Sequence, residues 1–133
     1  MDSAPLGAAK ATGWRRLSGA VSYTLAGLRD AFRHEAAFRQ ELFACGILVP
    51  LATLLPATRL ERLVLVLSML LVVLAELFNS AIEAAIDRIS FDRHPLSGRA
   101  KDLGSAGVAV ALLMSALCWV VLAGPMLVQW WSR

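Results

Sequence analysis

Residues Leu103 to Ser132 run for 30 residues without a charged side chain. A helix needs about 20 mostly apolar residues to cross a bilayer, and a backbone inside lipid must satisfy its own hydrogen bonds. A segment of this length therefore commits the chain to membrane-spanning helix. Two further runs point the same way. Leu42–Thr58 is uncharged for 17 residues, broken by Pro50 and Pro56, and suffices if the helix starts near Phe38. Leu63–Ala75 is uncharged and extends to Ile82 if Glu76 is taken into the membrane. Pro56-Ala57-Thr58 reads as the connection between these two spans. Gly124-Pro125 reads as the end or a kink of the third, with Trp130 and Trp131 as interfacial anchors.

Composition agrees. Of 133 residues, 58% are hydrophobic and 17% charged, with a mean hydropathy of +0.64. Soluble domains carry ~25% charge, and one this small buries only about two-thirds of the surface its unfolded chain exposes. The surplus apolar surface needs a bilayer as solvent. The same arithmetic excludes a disordered tail, a collagen-like repeat and a disulfide scaffold. Cys45 and Cys118 sit in apolar runs without a neighbouring Cys or His, which fits packing better than a disulfide or a metal site. The net charge of +3 then bears on topology rather than on nucleic acid.

Residues 1–13 are rich in Ala, Gly and Ser and read as a flexible leader without the compact apolar core of a signal peptide. From Trp14 the pattern turns helical. Trp14, Leu17, Val21, Leu25, Leu28 and Phe32 recur at three- and four-residue steps, with Arg15, Arg16, Arg29 and Arg33 off that stripe. This is the pattern of an amphipathic helix lying on a membrane surface. The expected fold is an all-α membrane protein forming one unit over 1–133. It has a surface helix over 14–35 and transmembrane helices over about 38–57, 60–86 and 100–124. Ten basic residues, Lys10, Arg15, Arg16, Arg29, Arg33, Arg39, Arg88, Arg93, Arg99 and Lys101, fall on one side, against Arg59, Arg62 and Arg133 on the other. That asymmetry puts the N-terminus and the second loop in the cytoplasm.

One stripe carries the chemistry. Glu76, Asn79, Ser80, Glu83 and Asp87 fall within an arc of roughly 100° on a helix. Carboxylates in a spanning helix cost about 2.5–3.5 kcal/mol each and mark function by default. A polar seam between helices would be content with Asn79 and Ser80 and gives no reason for three acids. An acid near the cytoplasmic interface can hold Mg²⁺ together with substrate phosphates, and a deeper, desolvated acid can take a proton from a hydroxyl. Phosphoryl transfer needs both, plus groups that hold phosphate. Ser97 to Asp102 in the second loop, and Glu35 and Glu41 at the mouth of the first span, offer them. Stripe geometry does not say which of Glu76 and Glu83 is base and which is ligand. Neither a P-loop nor a G-x-G-x-x-G fingerprint is present, and Gly104-Ser105-Ala106-Gly107 reads as close helix packing rather than a phosphate cradle.

Three blocks make the chain resemble a known family: Glu35-Ala-Ala-Phe-Arg-Gln-Glu41, Glu76-Leu-Phe-Asn-Ser-Ala-Ile-Glu-Ala-Ala-Ile-Asp-Arg88 and Leu96-Ser-Gly-Arg-Ala-Lys-Asp-Leu-Gly-Ser-Ala106. In this order and spacing they resemble the small integral-membrane diacylglycerol kinases of bacteria, over roughly Tyr23 to Gly107. The resemblance implies ATP-dependent phosphorylation of diacylglycerol to phosphatidic acid at the inner membrane. It also implies a homotrimer of three-span subunits with active sites shared between neighbours. By the family motif, Glu76 is the base, and Glu35 and Glu83 hold Mg²⁺ beneath the ATP phosphates. Asn79 supports that centre, and Lys101, Asp102, Arg16, Tyr23, Asp92 and His94 fall where the family touches ATP. Arg29, Arg39, Gln40, Glu41 and Ser105 fall where the family lines its lipid site, while Arg62, in the outer loop, offers a contact to lipid phosphate. Ala26 stands where relatives often carry Lys, and Ser90–Arg93 departs from the family's usual loop. The alternatives are an undecaprenol kinase of the same family and, from another class, a small proton- or cation-coupled transporter. The transporter reading leaves Glu35, Glu83, Lys101 and Asp102 without work.

Overall fold

The computed structural model describes residues 13–89 and 94–132, and among these every regular element is helical. Helix α1 spans Gly13–His34 and is amphipathic. Its apolar stripe of Leu17, Val21, Leu25, Leu28 and Phe32 is exposed, as a helix resting on lipid requires. The chain then turns at Glu35, whose φ of −100° and ψ of 115° leave the helical region. Helix α2, Ala36–Leu54, starts at the next residue. Arg39 ties this corner, its Nη1 donating to the carbonyls of Phe32 at 3.1 Å and Arg33 at 3.3 Å. Both carbonyls belong to the last turn of α1, where unpaired oxygens and the helix dipole favour a cation.

Helix α2 passes through Pro50 and stops where Leu55, extended ahead of Pro56, can no longer continue it. Arg62 reaches back over that end. Its Nε donates to Ala52 O at 3.0 Å and its Nη2 to Leu55 O at 3.5 Å and Ala57 O at 3.4 Å. Helix α3, Arg59–Ile89, opens with a capping box. Glu61 Oε2 accepts from the Thr58 backbone N–H and hydroxyl, both at 2.7 Å, and the Glu61 N–H meets Thr58 Oγ1 at 3.3 Å. The 31 residues of α3 rise about 46 Å, more than the ~30 Å hydrocarbon core. A helix so long extends past the bilayer, and Glu76, Glu83 and Asp87 lie in its C-terminal half.

Helix α4, Pro95–Cys118, is capped by His94, whose Nδ1 accepts the Leu96 N–H at 3.2 Å. The third span does not end at Gly124-Pro125. Trp119–Ala123 form a π-helical turn, and α5, Gly124–Trp131, carries the helix onward. Pro125 has no N–H to offer a carbonyl one turn back. The widened turn lets the Gly124 N–H bond Trp119 O instead, and Pro125 opens α5, where a missing N–H costs nothing.

Three helical stretches, Ala36–Leu54, Arg59–Ile89 and Pro95–Trp131, are long and apolar enough to cross a membrane. Helix α3 is the central one, packing on α4 along one side and α2 along another. At the α2–α3 connection a core of Ala52, Leu55, Leu65 and Ala123 is covered by Trp119, Leu122 and Met126. Midway along α3, Ser68 and Ser115 meet at 3.3 Å, and Ser115 also donates to Met69 Sδ at 3.4 Å. These pairs fix the register of α3 on α4 without leaving a hydroxyl unpaired in the apolar interior. The faces turned outward, including Leu67, Leu70, Val110, Leu113 and Leu117, are apolar and exposed.

Candidate active site

The stripe on α3 faces inward at its deepest point. Glu76 is 4% exposed, in a helix whose other buried residues are Leu65, Ser68, Met69 and Val72. It lies within electrostatic reach of Glu35 and Glu83, and Glu41 lies within reach of it. The single chain thus collects four of its carboxylates where α1, α2 and α3 converge. Among the described residues the ion pairs are His34 with Asp30 and Lys101 with Asp87, and Lys101 is also within electrostatic reach of Glu83, so one cation stands at the edge of four carboxylates. Such a group calls for protons or a metal ion to offset its self-repulsion.

Two of the acids, Glu35 and Glu83, are positioned by local features. Glu35 occupies the corner residue, and its side chain makes no capping bond to α2, which leaves both oxygens available. Glu83 is held by Asn79 one turn earlier, whose Nδ2 donates to Glu83 Oε1 at 3.2 Å. Asn79 Oδ1 and Glu41 Oε2 are buried without a hydrogen-bond partner. Beside the cluster, Gly27, Asp30, Ala31 and Glu35 face Leu77, Ser80, Ala81 and Ala84 of α3 across an open cleft of ≈ 190 Å³. Small side chains on both walls make that space, and it adjoins Glu35.

One turn beyond Glu83, Asp87 accepts from Lys101 Nζ at 2.6 Å. Asp87 is on the acidic stripe but carries no role in the sequence reading. The signal for it was present, because it continues the four-residue step from Glu83 and faces the basic start of α4. Gly104, which the sequence marks as a close-packing residue, lies against Asn79.

No three or more His, Cys, Asp or Glu side chains are grouped to cage an ion among the described residues. That suits Mg²⁺ in one setting only. Mg²⁺ keeps near-octahedral oxygen coordination and binds through one or two carboxylates when phosphates and water supply the rest. The resemblance assigns Glu35 and Glu83 as that pair of carboxylates.

The other sequence-selected residues are dispersed. Asp102 and Ser105 are exposed on α4, and Gln40 and Arg39 at the start of α2. Tyr23 and Arg29 are exposed on α1. His94 spends Nδ1 on its cap. Arg62 stands apart, 14 residues or about 21 Å along α3 from Glu76, with its guanidinium committed to the end of α2. Asp92 and the side chain of Arg16 lie outside the described residues.

A three-span α-helical membrane protein with a carboxylate cluster around one buried glutamate is thus the class that fold and site define. The profile of the prokaryotic diacylglycerol kinases matches residues 22–123. A diacylglycerol kinase of Haemophilus influenzae is 47% identical over 110 residues, covering 83% of this chain and 93% of that protein. The enzyme of the same name from Pseudomonas aeruginosa is 48% identical over 111 residues, covering 84% and 90%. One from Helicobacter pylori is 39% identical over 110 residues, covering 83% and 86%. The chain belongs to the prokaryotic diacylglycerol kinase family and is a kinase.

Proposed function

We propose that this kinase transfers the γ-phosphoryl group of ATP to the free primary hydroxyl of diacylglycerol, producing phosphatidic acid at the inner membrane. The observation that carries the reading is the buried Glu76 among Glu35, Glu41 and Glu83. The hydroxyl oxygen attacks the γ-phosphorus, the bond to the β,γ-bridging oxygen breaks, ADP leaves, and the hydroxyl proton passes to the Glu76 carboxylate. Depth along α3 supports giving that role to Glu76, because its hydroxyl partner arrives from the lipid. Glu35 and Glu83 hold Mg²⁺ against the phosphates, and Asn79 orients Glu83. The ion, when bound, offsets charge on the transferring phosphoryl oxygens. Lys101, paired with Asp87, is assigned to the phosphates, and Asp102, His94, Asp92, Tyr23 and Arg16 to the nucleotide by the family motif. Arg29, Arg39, Gln40, Glu41 and Ser105 are assigned to the lipid site by the family motif, and Arg62 to a lipid phosphate at the outer loop. The ten-to-three split of basic residues supports a cytoplasmic N-terminus, where ATP is found.

The test is phosphate transfer from labelled ATP in detergent micelles, offering diacylglycerol and undecaprenol side by side with and without Mg²⁺. Metal-dependent labelling of diacylglycerol is the expected result. Labelling of undecaprenol instead keeps the chemistry and changes the lipid. A folded protein that labels neither overturns the reading and returns Glu76 to an ion-coupled transporter.

A further inference from the structure

Gly104 lies inside α4, where glycine is disfavoured and needs a reason. Several described glycines face open space, and only at Gly104 would an added Cβ collide with a neighbour. It would fall on the Oδ1 of Asn79, with Asn79 Cγ at 3.4 Å and Asn79 Cα at 3.7 Å. The backbone of α3 is thus at ordinary contact distance, and the conflict is with the amide alone. That amide has one orientation to lose. Its Nδ2 donates to Glu83 Oε1 at 3.2 Å, and its Oδ1 is buried against Gly104 with no hydrogen-bond partner. Asn79 can escape a Cβ by rotating, so the helices stay packed, but rotation carries Nδ2 off Glu83. The cost of a methyl group at this position therefore falls on the site before it falls on the fold.

We propose that Gly104 is a positioning residue, keeping the Asn79 amide in the orientation that bonds Glu83 and so fixing the direction in which Glu83 presents its carboxylate to Mg²⁺–nucleotide. The proposal rests on the kinase reading above. Groups that orient a metal-binding carboxylate are worth about 10- to 100-fold in metal affinity or activity.

The experiment is a double-mutant cycle of Gly104→Ala and Asn79→Ala in the full-length protein. It reads Mg²⁺-dependent binding of a non-hydrolysable ATP analogue by calorimetry, beside KM and kcat. Gly104→Ala is expected to weaken analogue binding and raise the Mg²⁺ midpoint by about tenfold or more, with a smaller change in kcat at saturation. In the Asn79→Ala background the same substitution is expected to cost nothing further, because the amide it displaces is gone. Wild-type binding by Gly104→Ala overturns the proposal, as do losses that multiply in the double variant. If Gly104→Ala alone does not fold, the double variant decides. It must fold and bind as Asn79→Ala does, and failure of either overturns the proposal. A wild-type protein that neither binds the analogue with Mg²⁺ nor phosphorylates lipid instead overturns the kinase reading, so the two failures are distinguishable.

Discussion

Glu76 is nearly inaccessible, in a helix otherwise buried through apolar residues and a serine, and with three more acids in electrostatic reach. Inserting a carboxylate there costs more than a seam between helices would justify, and Asn79 and Ser80 already supply polar groups for a seam. The base and ligand roles separate on substitution. Glu76→Gln keeps the shape and removes the proton acceptor, so kcat is expected to fall at least about a hundredfold while Mg²⁺–nucleotide binding survives. Single-turnover kinetics beside calorimetry measure both quantities. Loss of binding in place of turnover would make Glu76 a metal ligand. The stripe was legible because its members follow helical spacing. What lies against it was not legible: Gly104 and Lys101 come from α4, and no periodicity within one helix announces a neighbour on the next.

At the scale of elements, both ends of α2 are closed by arginines, Arg39 on the last carbonyls of α1 and Arg62 on those of α2 itself. Charge counting reads them as topology signals and motif matching reads them as lipid contacts. Their hydrogen bonds show that each also closes a helix end. The start of α3 is plainer, since Thr58 and Glu61 stand at the spacing of a capping box and the structure forms it. Thr58→Ala removes the hydroxyl from that box and is expected to cost about 1 kcal/mol of stability. Activity per folded molecule should not change, because the cap is far from Glu76 along α3. Thermal unfolding in micelles with a parallel turnover assay checks this, and loss of activity at unchanged stability would link the connection to the site. The π-helical turn before Pro125 lay beyond sequence reading. Gly-Pro predicts an interruption, but whether the helix stops or widens depends on whether the residues beyond still have something to pack on. Here Met126 and Leu127 lie against the core at Ala52, Leu55 and Leu65.

Across the whole molecule, the carboxylates gather within one chain while part of the expected nucleotide contact does not. Helix α1 is about 33 Å long and packs chiefly on α2 near the corner. Tyr23, 79% exposed, lies 12 residues, or about 18 Å along that helix, from Glu35. The family resemblance implies a homotrimer with shared sites, and the apolar surface left exposed on α2, α3 and α4 is compatible with such an assembly. The arrangement to be tested is a closed head-to-tail ring in which each site takes its acids from one chain and Tyr23 from the next. Two mixing experiments distinguish this arrangement. Glu76→Gln and Glu35→Gln subunits damage the same cluster, so mixing them is expected to recover nothing. Glu76→Gln and Tyr23→Ala subunits damage opposite halves of a shared site. In a random equal mixture about one quarter of sites pair an intact cluster with an intact Tyr23 from its neighbour. Activity near that fraction of wild type is the expected result. Recovery in the first mixture would instead split the acids between chains, whereas no gain over the separate variants in the second would confine each site to a single subunit.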